Sequence, residues 1–293
     1  MINNSKIFQA FTTLIILFLS ISCVIPFILL ISSSFTSEVS LAKSGYSLIP
    51  GEFSMGAYNY LWKVKGSILR AYSMSVVITT IGTLLNVVMT LLFAYPLSRK
   101  DLPGRKAISF FLFFTMLFNG GFVPTYLVYS STFHINDSLA AMIVPYLMMN
   151  AFFVIMMRTY ISSNVPDEVL EAAKIDGAHE LQVLGKIVIP MSKPIIGTVA
   201  LMSAIAYWNN WTNGVYFIVE RKDLYGIQNY LNTVMSNVAF LQSNSNAMVN
   251  VRQIPNISIR MALAVVAILP VLIAYPFFQK SFVSGITIGS VKG

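Results

Sequence analysis

Apolar residues gather into six long runs, at about 10–32, 72–98, 107–130, 139–157, 195–219 and 261–279, with shorter polar segments between them. A helix of about twenty apolar residues crosses a bilayer core, so the pattern predicts six helical spans and an all-α membrane architecture. Asp, Glu, Lys, Arg and His are absent from all six runs; Arg158 and Arg260 stand at run ends. The first run follows Lys6 and stays apolar through Pro26–Ile31, past any cleavage point, and Ser20-Ile21-Ser22-Cys23 is a poor lipoprotein box. It reads as an uncleaved signal anchor. The third run holds Phe118-Asn119-Gly120-Gly121-Phe122-Val123-Pro124, which cannot continue as a regular helix. Irregular backbone at membrane depth is tolerated only against protein or a water-filled cavity. A span that simply ends at Gly120 is the simpler account, and a pore-lining break at Asn119 is the other.

The polar segments set the orientation. The link between runs two and three carries Arg99, Lys100, Arg105 and Lys106, whereas 132–138 carries no Lys or Arg. The positive-inside rule places 99–106 in the cytoplasm and 132–138 outside, which makes both termini cytoplasmic. The outer segments 33–71 and 220–260 do contain Lys and Arg, but long segments weigh less in this rule. Segment 33–71 begins polar and turn-rich and becomes half-apolar at Tyr58–Trp62, where an interfacial helix is expected.

The longest cytoplasmic link contains EAAKIDGAHELQVLGKIVIP, Glu171–Pro190, with five acidic residues between Asp167 and Glu180. Pro166 suits a first helical position, and Asp167 and Glu168 suit the positive helix end. The helix should break at Asp176-Gly177, because glycine takes the left-handed conformation without steric cost. A second helix is expected over Ala178–Lys186, ended by Pro190. An ordinary amphipathic loop between spans and a knob that another protein grips both fit this pattern.

Spacing adds a resemblance. Glu171-Ala172-Ala173, three residues, Gly177, nine residues, then Ile187-Val188-Ile189-Pro190 resembles the EAA loop of ABC-importer permeases, with Ile189 where leucine is usual. Arg158-Thr159-Tyr160, Lys193-Pro194, Trp208-Asn209 and the ending Phe277-Phe278 through Gly285 and Gly289 to Lys292-Gly293 look like the carbohydrate-importer permeases, in the subgroup that handles larger saccharides. The resemblance implies a six-span type I ABC-importer transmembrane domain, one domain over 1–293 with a core at about 70–280. It also implies a cytoplasmic EAA coupling helix built on Glu171, Ala172, Ala173, Asp176, Gly177 and Pro190. The implied partners are a second related permease, two ATP-binding subunits that hold ATP and Mg, and an extracytoplasmic, usually lipid-anchored binding protein. No cofactor is implied for this chain.

Composition agrees with a polytopic membrane protein: 56% hydrophobic, 10% charged, mean hydropathy +0.72. The net charge of +8 comes mostly from Lys and Arg between the apolar runs, where they face lipid headgroups; a nucleic-acid surface would need cations clustered on a soluble face. Lone Cys23 offers neither a disulfide framework nor a thiol–metal site. Runs without ionisable residues disfavour a proton-coupled transporter, though sodium sites built from carbonyls and hydroxyls stay open. The chain has no G-x-x-x-x-G-K-[ST] phosphate loop, no H-E-x-x-H and no G-x-S-x-G. His134 and His179 fall on opposite membrane sides and cannot share a metal.

One polar cluster stands inside run five: Trp208-Asn209-Asn210-Trp211. Indoles at a membrane interface are ordinary, but paired amides need partners and should face the bundle or a cavity. The cluster resembles a sugar-contacting surface, with rings to stack on a pyranose and amides to bond its hydroxyls. An importer of peptides or another solute, and a membrane scaffold or sensor using the same docking knob, are the competing readings.

Overall fold

The computed structural model describes residues 6–243 and 257–290. The chain forms α1 (Lys6–Ser34), α2 (Glu38–Ser44), α3 (Gly56–Lys63), α4 (Lys65–Ser98), α5 (Arg105–Leu117), α6 (Phe122–Leu127), α7 (Leu139–Ile143) and α8 (Ala151–Asn164). It continues through α9 (Asp167–Ile175), α10 (Glu180–Val183), α11 (Ile189–Met191), α12 (Lys193–Asn209), α13 (Thr212–Phe217), α14 (Ile227–Ser243) and α15 (Ile257–Ser290). Helices α1 and α4 are long and apolar enough to cross a membrane, and counting two bent helix pairs as one span each raises that number to four. Run six extends in both directions as α15, whose apolar stretch is Ile257–Ile273. Asn244–Asn246 of the polar stretch after α14 and the last three residues of the chain lie outside the described residues.

One compact unit comprises Met1–Ile68 with Tyr230–Leu269. No residue in the most apolar window of α1 is buried within the chain. The segment after α1 is fastened by short-range bonds: the Ser34 and Tyr58 hydroxyls lie 2.9 Å apart, and the Phe35 ring stacks on Tyr58 and Phe53. Glu38 caps α15, its carboxylate accepting the backbone N–H groups of Ile257 (2.9 Å) and Ser258 (3.1 Å). A carboxylate there suits the positive end of a helix. The helix expected at Tyr58–Trp62 forms as α3; it buries Ala57 and Leu61 and leaves Trp62 exposed under the Lys65 ammonium, 4.2 Å from the ring centroid.

The second unit comprises Leu69–Asn229 with Pro270–Gly293. One core cluster joins Leu91 and Tyr95 of α4, Met157 of α8, Leu170 of α9, Val188 and Val199. Another joins Ile78, Met142, Tyr207 and Phe217. The two clusters hold α4 between the connecting segments at its end and the broken helices near its middle.

Three apolar runs are interrupted. Run three stops being helical at Leu117, three residues short of Gly120. Asn119 Oδ1 accepts the Gly121 N–H at 2.9 Å, Gly121 turns through φ +87°, and the helix that resumes at Phe122 is bent by 115° from α5. Run four, predicted as one span over 139–157, is not one helix: α7 ends at Ile143 and α8 starts at Ala151. Pro145 has no N–H to continue the ladder, and Tyr146 is held at φ +65°, an uncommon conformation for a bulky residue. Side chains collect the freed carbonyls. Asn213 Nδ2 donates to those of Met142 (3.3 Å) and Pro145 (3.1 Å), the Tyr207 hydroxyl to that of Ile143 (3.0 Å), and Asn86 Nδ2 to that of Leu147 (2.7 Å). Buried backbone away from water requires such partners. Run five breaks at Asn210 and resumes as α13.

Candidate functional site

The stretch Glu171–Pro190 is two helices around a tight turn. Asp167 and Glu168 occupy the first turn of α9 and Lys174 the last, each at the helix end that suits its charge. Pro166 precedes the helix in an extended conformation and does not take the expected first helical position. The break falls at Asp176-Gly177 as expected, with Gly177 at φ +76° and the Ala178 N–H returning to the Ala173 carbonyl at 2.9 Å. A Cβ at Gly177 would meet nothing within 4 Å, so backbone conformation, not crowding, selects the glycine.

Helix resumes at Glu180, two residues later than expected, with the Gln182 side chain accepting the His179 N–H at 3.1 Å. Pro190 was expected to end this helix, yet it lies inside α11, and the bend of 82° into α12 follows after Met191. The reason is a π turn over Leu184–Val188, in which the Ile189 N–H reaches back to the Leu184 carbonyl. The widened turn removes the close approach that a proline ring makes to the i−4 carbonyl in a regular helix.

Glu171, Ala172, Asp176 and Gly177 are exposed and Ala173 is half-buried. Beside them two large apolar side chains stand in the open, Ile175 at 86% and Leu181 at 78% exposure. They flank Gly177 on a short connecting segment rich in charge, as a protein-docking knob would have them.

A chain of polar contacts ties this knob to the end of α4. The buried Tyr95 hydroxyl donates to the Glu180 carboxylate, Glu180 pairs with Lys174 at 3.4 Å, and Lys174 pairs with Asp101 at 3.5 Å. Arg99 meets Asp101 at 3.2 Å, and Lys100 meets Asp167 at 2.7 Å. The hydrogen bond from Arg99 pulls the Asp101 carboxyl down to about 2. The Tyr95 hydrogen bond, aided by Lys174, holds Glu180 below the usual carboxylate range. Exposed ion pairs contribute about 0–1 kcal/mol each, so the bond from buried Tyr95 is the firmest link. The end of α4 is itself pinned: Arg105 Nε (2.9 Å) and Arg158 Nε (3.2 Å) both donate to the Leu97 carbonyl, and cations suit this helix terminus.

Among the interrupted runs lies a cavity of about 380 Å³ whose lining includes Asn119, Phe122, Tyr146, Asn210, Thr212 and Asn213. The structure brings Asn210 of the Trp208–Trp211 cluster together here with Asn119 of the run-three break. It divides the rest. Trp208 is buried, 6.2 Å from the Tyr72 ring, and borders a separate apolar cavity of about 560 Å³ with Thr79, Thr83 and Leu201. Asn209 accepts a hydrogen bond from Gln228 at 3.3 Å, and Trp211 is exposed at 44% while its carbonyl accepts from Asn229. Asn213, Thr212 and Tyr146 were not anticipated. Asn213 carried a usable signal, an amide inside an apolar run that must find partners; Tyr146 carried none beyond its neighbour Pro145.

Interrupted apolar helices around a cavity lined in part by amides are the architecture of a membrane permease. The chain belongs to the family of binding-protein-dependent transport system inner membrane components, which matches it over residues 1–288. It is 37% identical to the polygalacturonan/rhamnogalacturonan transport system permease protein YtcP of Bacillus subtilis, over 99% of this chain and 100% of that one. It is 35% identical to Protein LplC of the same organism, over 99% and 98% of the two chains. Among solved structures it is similar to a chain of a bacterial ABC transporter involved in the import of the acidic polysaccharide alginate, with TM-score 0.78 and 26% identity over 96% of this chain and 99% of that one. The expectation of a carbohydrate ABC-importer permease is met, and the peptide and scaffold readings lose their ground. Such a permease is a transport subunit, not an enzyme in itself, and a component of the cytoplasmic membrane.

Proposed function

We propose that this chain is one half of the pore of an ATP-driven importer that moves an oligosaccharide delivered by an extracytoplasmic binding protein. A second related permease completes the pore, and two ATPase subunits, which bind ATP and Mg, dock on the knob at Glu171–Pro190. The observation that carries this reading is the exposure of Ile175 and Leu181 on either side of the left-handed Gly177. Closure of the ATPase dimer on ATP moves the knobs together and rocks the pore between inward- and outward-facing states. Both termini are cytoplasmic, and the two compact units are parts of one permease domain with its core at about 70–280.

The saccharide passes the cavity at Asn119 and Asn210. Its lining offers amides, hydroxyls and aromatic rings but no cation, so it reads sugar hydroxyls and ring faces, not acid groups. The test is uptake into proteoliposomes holding the permease pair and the ATPase, with the binding protein added. The panel comprises oligogalacturonides, raffinose-series, arabino- and malto-oligosaccharides, and a control peptide. Saccharide uptake with binding-protein-stimulated ATP hydrolysis is expected; uptake of the peptide alone would overturn the reading. Orientation is tested in a Cys23→Ser background. Lys100→Cys should resist an impermeant thiol reagent in intact cells, and Thr132→Cys should react. Ser98 is too buried to serve as that probe.

A further inference from the structure

Helix α4 touches both halves of the candidate site. At its end the Tyr95 hydroxyl, on a side chain only 6% exposed, donates to Glu180 just past the Gly177 turn. About 14 Å along the helix, at a rise of about 1.5 Å per residue, Asn86 is 1% exposed. Its Nδ2 donates to the carbonyl of Leu147, a cavity-lining residue, at 2.7 Å. Its Oδ1 accepts the Ser203 hydroxyl of α12 at 2.7 Å. One turn beyond Asn86, Gly82 admits the Tyr207 ring, whose hydroxyl holds the Ile143 carbonyl. One rigid helix therefore carries a charge-assisted bond to the knob and amide bonds to the irregular backbone that shapes the cavity.

We propose that the Tyr95–Glu180 hydrogen bond is the joint through which movement of the knob is passed to α4, and that Asn86 passes it on to the cavity wall. Both are positioning residues. The proposal rests on the reading of Glu171–Pro190 as the coupling element. The other polar ties between the knob and the end of α4 are ion pairs whose partners are 40–80% exposed apart from Arg99, and the buried packing of Leu91 and Tyr95 with Leu170, Val183 and Val188 is kept in Tyr95→Phe. Such ion pairs reshuffle with water at little cost, whereas a hydrogen bond to an ionised group from a buried donor is among the stronger kind. Transmission of this sort requires an element with two arrangements that both sites bias, and the rocking of the pore supplies them.

The test needs no knowledge of the saccharide. In the full complex, with Cys23→Ser, a reporter Ala206→Cys in the cavity wall is labelled by a maleimide with and without ATP plus vanadate. With Tyr95 present, ATP should change the labelling rate at least about fivefold, the lower end of ordinary site-to-site coupling. In Tyr95→Phe the ATPase should still co-purify and hydrolyse ATP, while the change in labelling falls below about twofold. Glu180→Gln, which keeps an acceptor, should retain most of the change. The double variant Tyr95→Phe/Glu180→Ala should be no worse than Glu180→Ala alone, as expected of two groups sharing one bond. A full ATP response in Tyr95→Phe would overturn the proposal. So would loss of the ATPase from Tyr95→Phe, which would make the bond part of the docking surface and not a joint. Normal docking and hydrolysis in Gly177→Val with Tyr95 intact would instead overturn the coupling-loop reading beneath it.

Discussion

At Gly177 an added Cβ would meet nothing within 4 Å, while at Gly82 it would fall 2.5 Å from the Tyr207 ring. The first glycine is required by a backbone angle, the second by the nearness of a neighbour on another helix. The same contrast separates the regions they belong to. The knob is a contiguous segment, shaped by capping and a left-handed turn, tied to the end of α4 by a few polar bonds, with the side chains around Gly177 left open. The cavity is assembled from α12, α13 and two interrupted runs, and the bonds from Asn86, Tyr207 and Asn213 that hold its broken backbone span tens of residues in sequence. A region of the first kind can be altered without disturbing the fold; one of the second kind cannot.

The comparison is tested hardest at Gly82. Gly82→Val should force Tyr207 from its place and break its bond to the Ile143 carbonyl. The expected loss is about 3–4 kcal/mol, overpacking plus a buried hydrogen bond, read as a lower melting temperature and yield of the purified complex. If Gly82→Val melts normally, the close approach is not structural.

Gly177→Val should do the opposite. Strain at a positive φ costs about 1–3 kcal/mol in the knob alone, so insertion and melting of the spans stay normal while ATPase co-purification falls about tenfold or more. Glu171→Lys should also weaken docking. Next in size is the cavity surface. Asn210→Ala should lower saccharide uptake about fivefold, the value of one hydrogen bond, with ATPase docking unchanged. Trp208→Ala should lower stability without a selective uptake defect, because its ring borders the apolar cavity.

The smallest effect is the response of the knob to pH. Asp101 and Glu180 have carboxyls held below their ordinary range, so their contribution is fully present above an ordinary carboxylate pKa of about 4. It is lost as pH falls through the depressed values, for Asp101 from about 4 down to about 2. Docking measured by co-purification should therefore be flat between about pH 6 and 8. The measurement is made in His179→Gln, where a step in that interval would mean that these pairs do not hold the knob.

What could be read from the residues follows the same division. The helix break at Asp176-Gly177 was legible because glycine conformation and capping are local. Pro190 misled because the π turn that accommodates it is set by how Leu184 and Val188 pack into the core. Run four looked like one span because hydropathy does not report that Asn213, Tyr207 and Asn86, far away in sequence, collect the carbonyls of a broken helix. That Asn119 and Asn210 line one cavity was not legible, because nothing in runs three and five says that their two breaks meet.

Helix α1 carries a consequence for how the complex holds together. Its residues are mostly Leu, Ile and Phe, without a glycine between Lys6 and Ser34, and its most apolar window has no buried residue in its own chain. Within a bilayer, exchanging lipid tails for another apolar helix brings no hydrophobic gain, and the small residues that permit close approach, such as Ala10, Ser20 and Ser22, are scattered here among bulky ones. Whatever lies against α1 is therefore held weakly and traded readily for lipid. The annular lipids around this helix act as competing ligands, and subunit association should shift with acyl-chain composition and detergent load before any other contact fails.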